Sequence, residues 1–457
     1  MQTRRDQLAG YRYSVRRVMT ALMGSEPEQA EQPMRRVATA TLAGVLVAVL
    51  GLTGAGFYGK VRGGSPSTWQ RSDVLIVERE TGSRYVWTGA ELRPVLNYTS
   101  ARLLLQQPDV RTVKVSRNAI AGAHRGAPVG IAGAPDSLPD ARHVVKAPWA
   151  VCATPPEDDA VSTLIIGTRP NGTSLGDDSL LVRSGSELFL VWHGKRLAAT
   201  AEDLRSLGLD GQRALAVPAP WINAVPPGPD LAAPTVPGVG GTGAAVAGQR
   251  TRVGDVVQVS SAAGVHWYVS LADGLSPITE TQALLLTGSR DAKLLDATTA
   301  DVNASANSQQ RLGSTDTPAA RPTLASTAEE APVCVEAVAA DGTVPAAPAV
   351  SVGGDVGAVS PAKPEGTTTT QTVDDLVIEP GHVAVVSVLT PDDDTAPGVF
   401  LITDAGLRFA VPTADAATWL GYSTIQPLPI PSRLLALVPQ GPALDPSSAR
   451  GTVAVAP

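Results

Sequence analysis

The strongest pattern in the chain is a long apolar stretch near its N-terminus. No charged residue lies between Arg36 and Lys60, and the run LAGVLVAVLGL stands at the centre of this stretch. A helix of this length measures about 35 Å, and the hydrocarbon core of a bilayer is roughly 30 Å thick. Helices of soluble proteins usually carry an apolar stripe and not an apolar surface all round. The sequence therefore predicts a transmembrane helix over residues 37–59.

A cleaved secretory signal is the alternative, because Gly54, Ala55 and Gly56 resemble a cleavage site. Residues 1–36 precede the apolar core, however, whereas a signal peptide begins close to its own core. The core is also too long for a signal peptide. Arginines outnumber acidic residues in the leader. The positive-inside rule then places residues 1–36 in the cytoplasm and the chain after Lys60 on the outer side of the membrane.

The leader has the pattern of an amphipathic helix over residues 2–23. Its apolar residues recur at spacings of three and four, and arginines lie beside them. The apolar positions are Leu8, Tyr11, Val15, Val18 and Leu22. Such a helix could lie on an anionic membrane surface or dock on a cytoplasmic partner. The pattern does not separate these two roles.

Small residues recur every four positions within the predicted membrane helix. Ala40, Gly44 and Ala48 would form a narrow strip on one side of the helix. A strip of this kind lets two membrane helices approach closely. The alternative is the ordinary tolerance of membrane helices for alanine and glycine.

Beyond the membrane segment the chain repeats itself. The motif VPPGPDL in Ala216–Leu231 returns as VPQGPAL in Leu428–Leu444, and Gly82–Leu105 resembles Gly264–Leu286. Each copy reads as two short alternating strands, a glycine turn between them and a following helix. One hairpin and one helix cannot bury an apolar face alone. Chance similarity in a chain rich in alanine, glycine and proline is the alternative.

The repeats predict an α+β fold. A single N-terminal transmembrane helix would be followed by an extracytoplasmic region, residues 60–440, of about four small α/β units around a β-rich central core. We place the units near residues 70–110, 178–225, 250–295 and 397–440. Low-complexity joins at Pro226–Gly248, Asp301–Ala331 and Asp341–Thr372 read as loops or flexible links. Residues 441–457 read as a ragged tail.

Charge and cysteine content narrow the range of partners. The 457 residues include 36 basic and 43 acidic side chains, a net charge of −7, so nucleic acid is not an expected partner. The two cysteines, Cys152 and Cys334, lie far apart in the predicted outer region, where disulfides persist. One structural disulfide is the favoured interpretation. Two separately buried thiols are the alternative.

Enzyme machinery is sparse in this sequence. It contains no GxxxxGK[ST] phosphate loop, and the GVGG at Gly238–Gly241 follows prolines and not a strand. The five histidines lack a metal-ligand spacing, and Asp392–Asp394 lack the alternating spacing of a calcium loop. We therefore expect no catalytic residues, no cofactor and no metal site. Three aromatic residues could stack on cell-wall sugars, although core packing explains them better: Trp192, Trp267 and Tyr268.

Several segments together resemble the EccB component of type VII (ESX) secretion systems. In chain order they are QLAGYRYSVRRVMTAL, PMRR, RETGSRYVWTGAELRPVLNYTSARLLL, PVGIAGAPDSLPD, WAVC, VPPGPDL and VPQGPAL. The resemblance implies a single-pass membrane protein with a short cytoplasmic helix and outer repeat units around a core bridged by one disulfide. The matching cysteines here are Cys152 and Cys334.

The resemblance also implies partners and a role. EccB is thought to scaffold a membrane complex with the motor ATPase EccC and the membrane components EccD and EccE. The leader residues on the family's basic and aromatic contact pattern are Arg12, Tyr13, Arg16 and Arg17. We expect a scaffold subunit in the cell membrane, in contact with lipid and self-associating through its outer domain. Some family members are described as ATPases, so an ATP-hydrolysing component with a non-standard nucleotide site is one alternative. A cell-wall-binding module is another.

Overall fold

The N-terminal part of the protein consists of two helices, which the structure describes together with most of the chain that follows. The structure is a computed structural model. It describes residues 4–23, 33–62, 69–154, 160–289, 292–314, 316–328, 331–356, 362–363, 369–389 and 398–453. Helix α1 spans Arg4–Met23 and helix α2 spans Pro33–Arg62. Within α2, Val37–Ala55 has a mean hydropathy of 2.0 and is long and apolar enough to cross a membrane, and none of it is buried inside the protein.

The first repeat unit follows helix α2. Its elements are β1 Leu75–Glu78, β2 Arg84–Trp87, β3 Leu92–Pro94, α3 Tyr98–Leu105, β4 Thr112–Val115 and α4 Arg117–Ile120. Strands β1 and β2 form an antiparallel hairpin, and Gly82 in its turn has a φ of +74°, which glycine adopts without strain. Strand β4 is parallel to β1. Because parallel neighbours need a crossover, helix α3 fills the connection.

The first half of the central core comes next. It contains β6 Trp149–Thr154, β7 Val161–Ile166 and β8 Thr173–Ser174, whereas the preceding short strand β5 Val144–Val145 joins the sheet of the fourth unit. Strands β6 and β7 are nearly continuous runs of buried residues. Such runs are typical of strands that are covered on both faces.

The second and third units lie on either side of a hairpin. The second has β9 Leu180–Ser184, β10 Glu187–Trp192, β11 Lys195–Ala199, α5 Ala201–Ser206, β12 Leu215–Ala216 and α6 Ala219–Ala224. The hairpin consists of β13 Thr242–Val246 and β14 Gln249–Arg252. The third unit has β15 Val256–Ser261, β16 Gly264–Leu271, β17 Gly274–Ile278, α7 Glu280–Ser289, β18 Leu294–Ala297 and α8 Thr299–Ala304.

The chain completes the core before it forms the fourth unit. Core strands are β19 Val333–Val338, β20 Val350–Val352 and β21 Asp375–Val377. The fourth unit has β22 Val383–Val388, β23 Val399–Thr403, β24 Arg408–Val411, α9 Ala414–Trp419, β25 Leu428–Ile430 and α10 Ser432–Leu435. A last helix, α11, spans Pro446–Arg450.

All four units share one topology. Their sheets have the orders β3-β2-β1-β4, β11-β10-β9-β12, β17-β16-β15-β18 and β24-β23-β22-β25. In each, two antiparallel pairings are followed by a helix and a fourth strand parallel to the first. The predicted fold class of small α/β units around a β-rich core is therefore confirmed. The boundaries assigned to individual domains stay a prediction.

The central sheet has six strands in the order β21-β7-β6-β19-β20-β8. The largest apolar cluster of the protein covers one of its faces and includes the fully buried Trp149 and Trp221. It also takes in apolar side chains of the second and fourth units, such as Val182 and Ile402. The core is therefore shared, because neither the sheet nor those units bury their apolar faces alone.

The structure differs from the sequence-based interpretation in the joins and the tail. The join Pro226–Gly248 contains β13, and Asp341–Thr372 contains β20. The tail contains α11, and Leu444 and Ala449 are buried. Glycine and proline obscure the alternation of apolar and polar residues in these segments. Their strand pairing and packing depend on partners that are distant in the chain, so the local sequence does not reveal them. The acidic triplet at 392–394 lies outside the described residues.

Candidate functional site

The disulfide lies in the middle of the central sheet. Cys152 on β6 and Cys334 on β19 are direct antiparallel partners and are bonded to each other. Both are buried, and Ile165 and Val377 pack beside them. The predicted disulfide is thus confirmed. It joins the two halves of a core that the chain builds at widely separated positions.

The repeated segments VPPGPDL and VPQGPAL each form a β-bridge with the edge of a sheet. Arg196 of β11 donates its backbone N–H to Pro226 O at 2.9 Å, and its carbonyl accepts from Gly228 N at 2.9 Å. Arg408 of β24 makes the same two bonds, with Pro439 and Gly441, at 2.9 and 2.8 Å. Each segment therefore returns after its helix and pairs with the third strand of its own unit.

Glycine is required in this segment because the backbones approach closely. An ideal Cβ at Gly228 would lie 2.5 Å from Leu197 Cδ2, and one at Gly441 would lie 2.5 Å from Phe409 Cε1. Contacts this short force a neighbour to move, since buried side chains are packed to near-crystalline density. The shared glycine of the two motifs therefore has a steric cause.

Two arginines hold the helices that follow these units. Arg196 donates from Nη1 to Ile222 O at 2.5 Å and Asn223 Oδ1 at 3.2 Å, near the C-terminal end of α6. Arg408 donates from Nη1 to Leu435 O at the end of α10. Burial lowers the pKa of both guanidinium groups below the usual arginine value. Their interactions satisfy carbonyls that a helix leaves without intrahelical partners.

Helix α6 is in turn fixed to the central sheet. The fully buried Trp221 donates its indole Nε1 proton to Val333 O at 2.9 Å. Val333 adjoins the disulfide-bonded Cys334 in β19. The chain of contacts from β11 through α6 to the disulfide therefore fastens the second unit to the core.

The first unit is joined to the fourth. Arg102 of α3 donates to Leu420 O at 3.1 Å, and α3 packs against α9 and α11. Tyr422, beside this contact, donates its phenol proton to Pro139 O at 2.5 Å. Burial raises the pKa of Tyr422 above its ordinary value, because the phenolate would be poorly solvated there.

The predicted contact residues of the leader are all exposed. Arg12, Tyr13, Arg16 and Arg17 lie on α1, and no residue of α1 is buried. Its predicted apolar stripe is also exposed to solvent. An apolar stripe without a covering partner costs free energy in water, so both faces of α1 are available for binding. The roles of the four residues stay a prediction.

The small-residue strip is open as well. Ala40, Gly44 and Ala48 are exposed on α2, and a Cβ placed on Gly44 would meet nothing within 4 Å. A neighbouring helix has room to approach this side. The packing of another helix on this strip stays a prediction.

The aromatic residues considered for sugar stacking pack against the cores of their units. Trp192, Trp267 and Tyr268 are only half-buried, and each packs against the apolar cluster of the second or third unit.

The glycine-rich segment Gly238–Gly241 forms backbone hydrogen bonds within the protein. Gly240 N donates to Val253 O at 2.9 Å. Within the described ranges, no group of three or more histidine, cysteine, aspartate or glutamate side chains is arranged to hold a metal ion.

Comparison with known proteins shows which family has this architecture. The model of the family described as "Type VII secretion system ESX-1, transport TM domain B", EccB, matches residues 1–457. The chain belongs to the EccB family. The resemblance seen in its sequence segments is thereby confirmed, and the chain is a membrane-associated component of the type VII (ESX) class.

Relatives among characterised proteins match over nearly the whole chain. The ESX-3 secretion system ATPase EccB3 of Mycolicibacterium smegmatis is 32% identical over 96% of this chain and 89% of its own length. The ESX-5 secretion system ATPase EccB5 of Mycobacterium tuberculosis is 27% identical over 96% of this chain and 92% of its own length.

Solved EccB structures have the same fold. A chain of an intact ESX-5 inner membrane complex aligns with a TM-score of 0.67 and 28% identity, covering 100% of this chain and 96% of that one. The EccB3 dimer from the ESX-3 core complex aligns with a TM-score of 0.63 and 27% identity, covering 83% of this chain and 100% of that one.

Sequence reasoning did not single out the residues that join the units to the core. Trp221, Arg196, Arg408 and Tyr422 carry those interactions. The repeat offered a signal for two of them, because KRLAATAEDLRSLG and LRFAVPTADAATWLG align with arginine at the same place in each unit. Trp221 and Tyr422 carried no such signal, since their partners lie 112 and 283 residues away.

Proposed function

We propose that this EccB protein is a structural scaffold subunit of a type VII secretion membrane complex. It anchors and organises the export channel on the outer side of the cytoplasmic membrane. The observation that carries the proposal is the combination of one long apolar helix with a large, disulfide-linked body that is built from four repeated units around a shared core.

Orientation is the first part of this proposal. Residues 1–36 lie in the cytoplasm, because basic residues next to a membrane helix favour the inner side. The outer body then lies where disulfides persist, in agreement with the buried Cys152–Cys334 bond. Digestion of intact spheroplasts with protease should cleave the outer body and spare α1. Protection of the outer body in spheroplasts would contradict the orientation.

Assembly is the second part. The related chains of known structure come from an intact ESX-5 inner membrane complex, an ESX-5 periplasmic assembly and an EccB3 dimer. We infer that this chain self-associates through its outer domain and contacts EccC, EccD and EccE. The exposed α1 would supply cytoplasmic contacts, and the strip of Ala40, Gly44 and Ala48 would supply contacts within the membrane.

Affinity purification from membranes in mild detergent tests the assembly. The unaltered chain should co-purify with a motor ATPase and a polytopic membrane protein. Arg12→Glu with Arg16→Glu should lose these partners, since charge reversal at a contact costs several kcal/mol. Arg4→Glu with Arg5→Glu is the matched control on the same exposed helix and should retain them. Loss of partners in both variants, or in neither, would contradict a contact through Arg12 and Arg16.

ATP hydrolysis is the second candidate, because the names of curated relatives include the word ATPase. Hydrolysis would require a nucleotide site of a non-standard kind, since the sequence lacks a phosphate loop. Purified protein freed from the motor ATPase distinguishes the two functions. Turnover that co-elutes with this chain through two chromatographic steps would favour the enzyme, and turnover that follows only the motor ATPase would favour the scaffold.

A further inference from the structure

Charge is divided unevenly between the first unit and the rest of the outer body. Residues 69–130 contain nine lysines and arginines against five aspartates and glutamates. Residues 131–457 contain 18 basic against 34 acidic residues. The first unit is therefore cationic on a protein whose overall charge is negative. A segregated charge of this size directs the molecule toward an oppositely charged surface.

The cationic unit is also the one next to the membrane. After Ala55, the last residue of the apolar span, helix α2 continues to Arg62, a rise of about 10 Å. Seven residue steps then lead to Trp69, a reach of at most about 25 Å. Trp69 is 3% exposed and packs in the core of the first unit with Trp87, whose ring lies 5.3 Å away. The covalent tether thus keeps Trp69, which clusters with Val113 and Val115 of β4, within about 35 Å of the hydrocarbon.

Three basic side chains of the first unit lie along its free sheet edge. We call Arg79, Arg111 and Lys114 the basic edge. Lys114 is exposed in β4, the outermost strand of its sheet, and Arg79 Nη2 donates to Lys114 O at 3.3 Å. Arg111 immediately precedes β4, and its carbonyl accepts from Leu75 N at 2.9 Å. Hydrogen bonding of the short strand β4 therefore holds the three residues together.

The basic edge has no acidic partner among the described ion pairs. Two acidic groups beside it are bonded by other arginines: Arg71 bonds Asp73 at 2.6 Å, and Arg117 bonds Glu78 at 2.8 Å. Arg111 is attracted by Asp73 as well, but it forms no ion pair with that carboxylate. Glu80 accepts from the backbone N–H of Arg117 at 2.9 Å. The three charges therefore remain available to an external anion.

We propose that the basic edge docks on anionic phospholipid headgroups of the membrane that holds the protein's own helix. The tether brings the edge within reach, and the excess of acidic residues elsewhere turns the other units away from the same surface. This docking needs only that α2 spans a bilayer. It is independent of the scaffold role and of the side on which the outer body lies, so either proposal can fail alone.

Hydrogen exchange on the full-length chain tests the docking. The protein is reconstituted in nanodiscs of phosphatidylcholine alone, or of equal parts phosphatidylcholine and phosphatidylglycerol. Amides of residues 109–116 should exchange more slowly in the anionic discs, and the difference should vanish at high salt because salt screens surface charges. Each basic residue removed should lower the ratio of docked to undocked protein by about five-fold.

Charge variants complete the test. Arg79→Glu, Arg111→Glu and Lys114→Glu together should abolish the slowing, and the corresponding glutamine variants should reduce it. Arg183→Glu, Arg250→Glu and Arg252→Glu form a matched control, since these exposed arginines lie outside the first unit. Unchanged exchange in residues 84–87 shows that the first unit still folds.

Three results would overturn the proposal. Equal exchange of residues 109–116 in neutral and anionic discs would show that lipid charge does not cover the edge. Equal protection in both kinds of disc that depends on protein concentration would assign the edge to a second copy of the chain. An effect of the control variants as large as that of the basic-edge variants would show only a response to net charge.

Discussion

The repeated glycine of the returning segments can be tested by adding a single methyl group. In Gly441→Ala, the new Cβ would lie 2.5 Å from Cε1 and 2.8 Å from Cδ1 of Phe409. The Phe409 ring is 1% exposed and packs in the apolar cluster of the fourth unit. The backbone cannot retreat without loss, because Gly441 N bonds Arg408 O at 2.8 Å. The steric conflict must therefore displace either a buried ring or a strand pairing.

The expected cost follows from two opposing terms. Overpacking a well-packed core costs about 1–3 kcal/mol. Replacement of glycine by alanine stabilises by about 0.4–1 kcal/mol, because the unfolded chain loses conformational freedom. The φ of Gly441 lies outside the left-handed region, so backbone strain adds nothing. We expect Gly441→Ala to lower the free energy of unfolding by about 1–2 kcal/mol.

Urea unfolding of the full chain in detergent, followed by tryptophan fluorescence, measures the loss in free energy of unfolding. The dependence of this free energy on urea concentration should be the same in the variant and the unaltered chain. Gly122→Ala is the matched control, since a Cβ there meets nothing within 4 Å. It should be neutral or slightly stabilising. Gly228→Ala should fall between them, because its close neighbour, Leu197 Cδ2, is the end of a flexible side chain. Equal stability of the Gly441→Ala and Gly122→Ala proteins would refute the steric explanation of the motif.

Three further predictions concern the core and its joints. Replacing Cys152 and Cys334 by serine should lower the free energy of unfolding by about 5 kcal/mol, as expected for a cross-link between positions so far apart in the chain; a loss below about 1 kcal/mol in urea unfolding would contradict it. Trp221→Phe should cost about 0.5–1.5 kcal/mol, because Val333 O loses the indole hydrogen bond but stays within the strand pairing of β19. Trp221→Ala should cost about 3–5 kcal/mol, because it also removes the ring, and no measurable loss in Trp221→Phe would argue against the hydrogen bond. Because folding raises the pKa of Tyr422 above 10.0, its stabilising contribution is complete below pH 10 and falls as the pH rises further. Tyr422→Phe should flatten this alkaline decline, and an unaltered pH profile would show that Tyr422 does not cause it.

The candidate membrane helix was predictable because its signal is local. A bilayer demands about twenty consecutive apolar residues, and no distant contact is needed to recognise Val37–Ala55. The repeat units were predictable for a related reason. The strand, turn and helix patterns of each unit lie close together in the chain, so two copies could be compared directly in the sequence.

The pairing of the cysteines required less information than most long-range contacts. The chain contains only two, Cys152 and Cys334, so only one intramolecular disulfide is possible if they pair. What the composition could not supply was the register that places them opposite each other across β6 and β19. That register depends on packing both faces of the central sheet.

Tertiary structure alone decided how the units are joined. The returning segments at Gly228 and Gly441 look like proline-rich loops in the sequence, yet each pairs with the edge of a strand that precedes the helices of its unit. Helix α11 likewise packs against α3, although α11 follows the fourth unit and α3 belongs to the first. Local patterns report which face of an element is apolar. The sheet edge or apolar face that an element contacts depends on the arrangement of the whole molecule. Any partner of the right geometry can form hydrogen bonds with its backbone or bury its apolar surface.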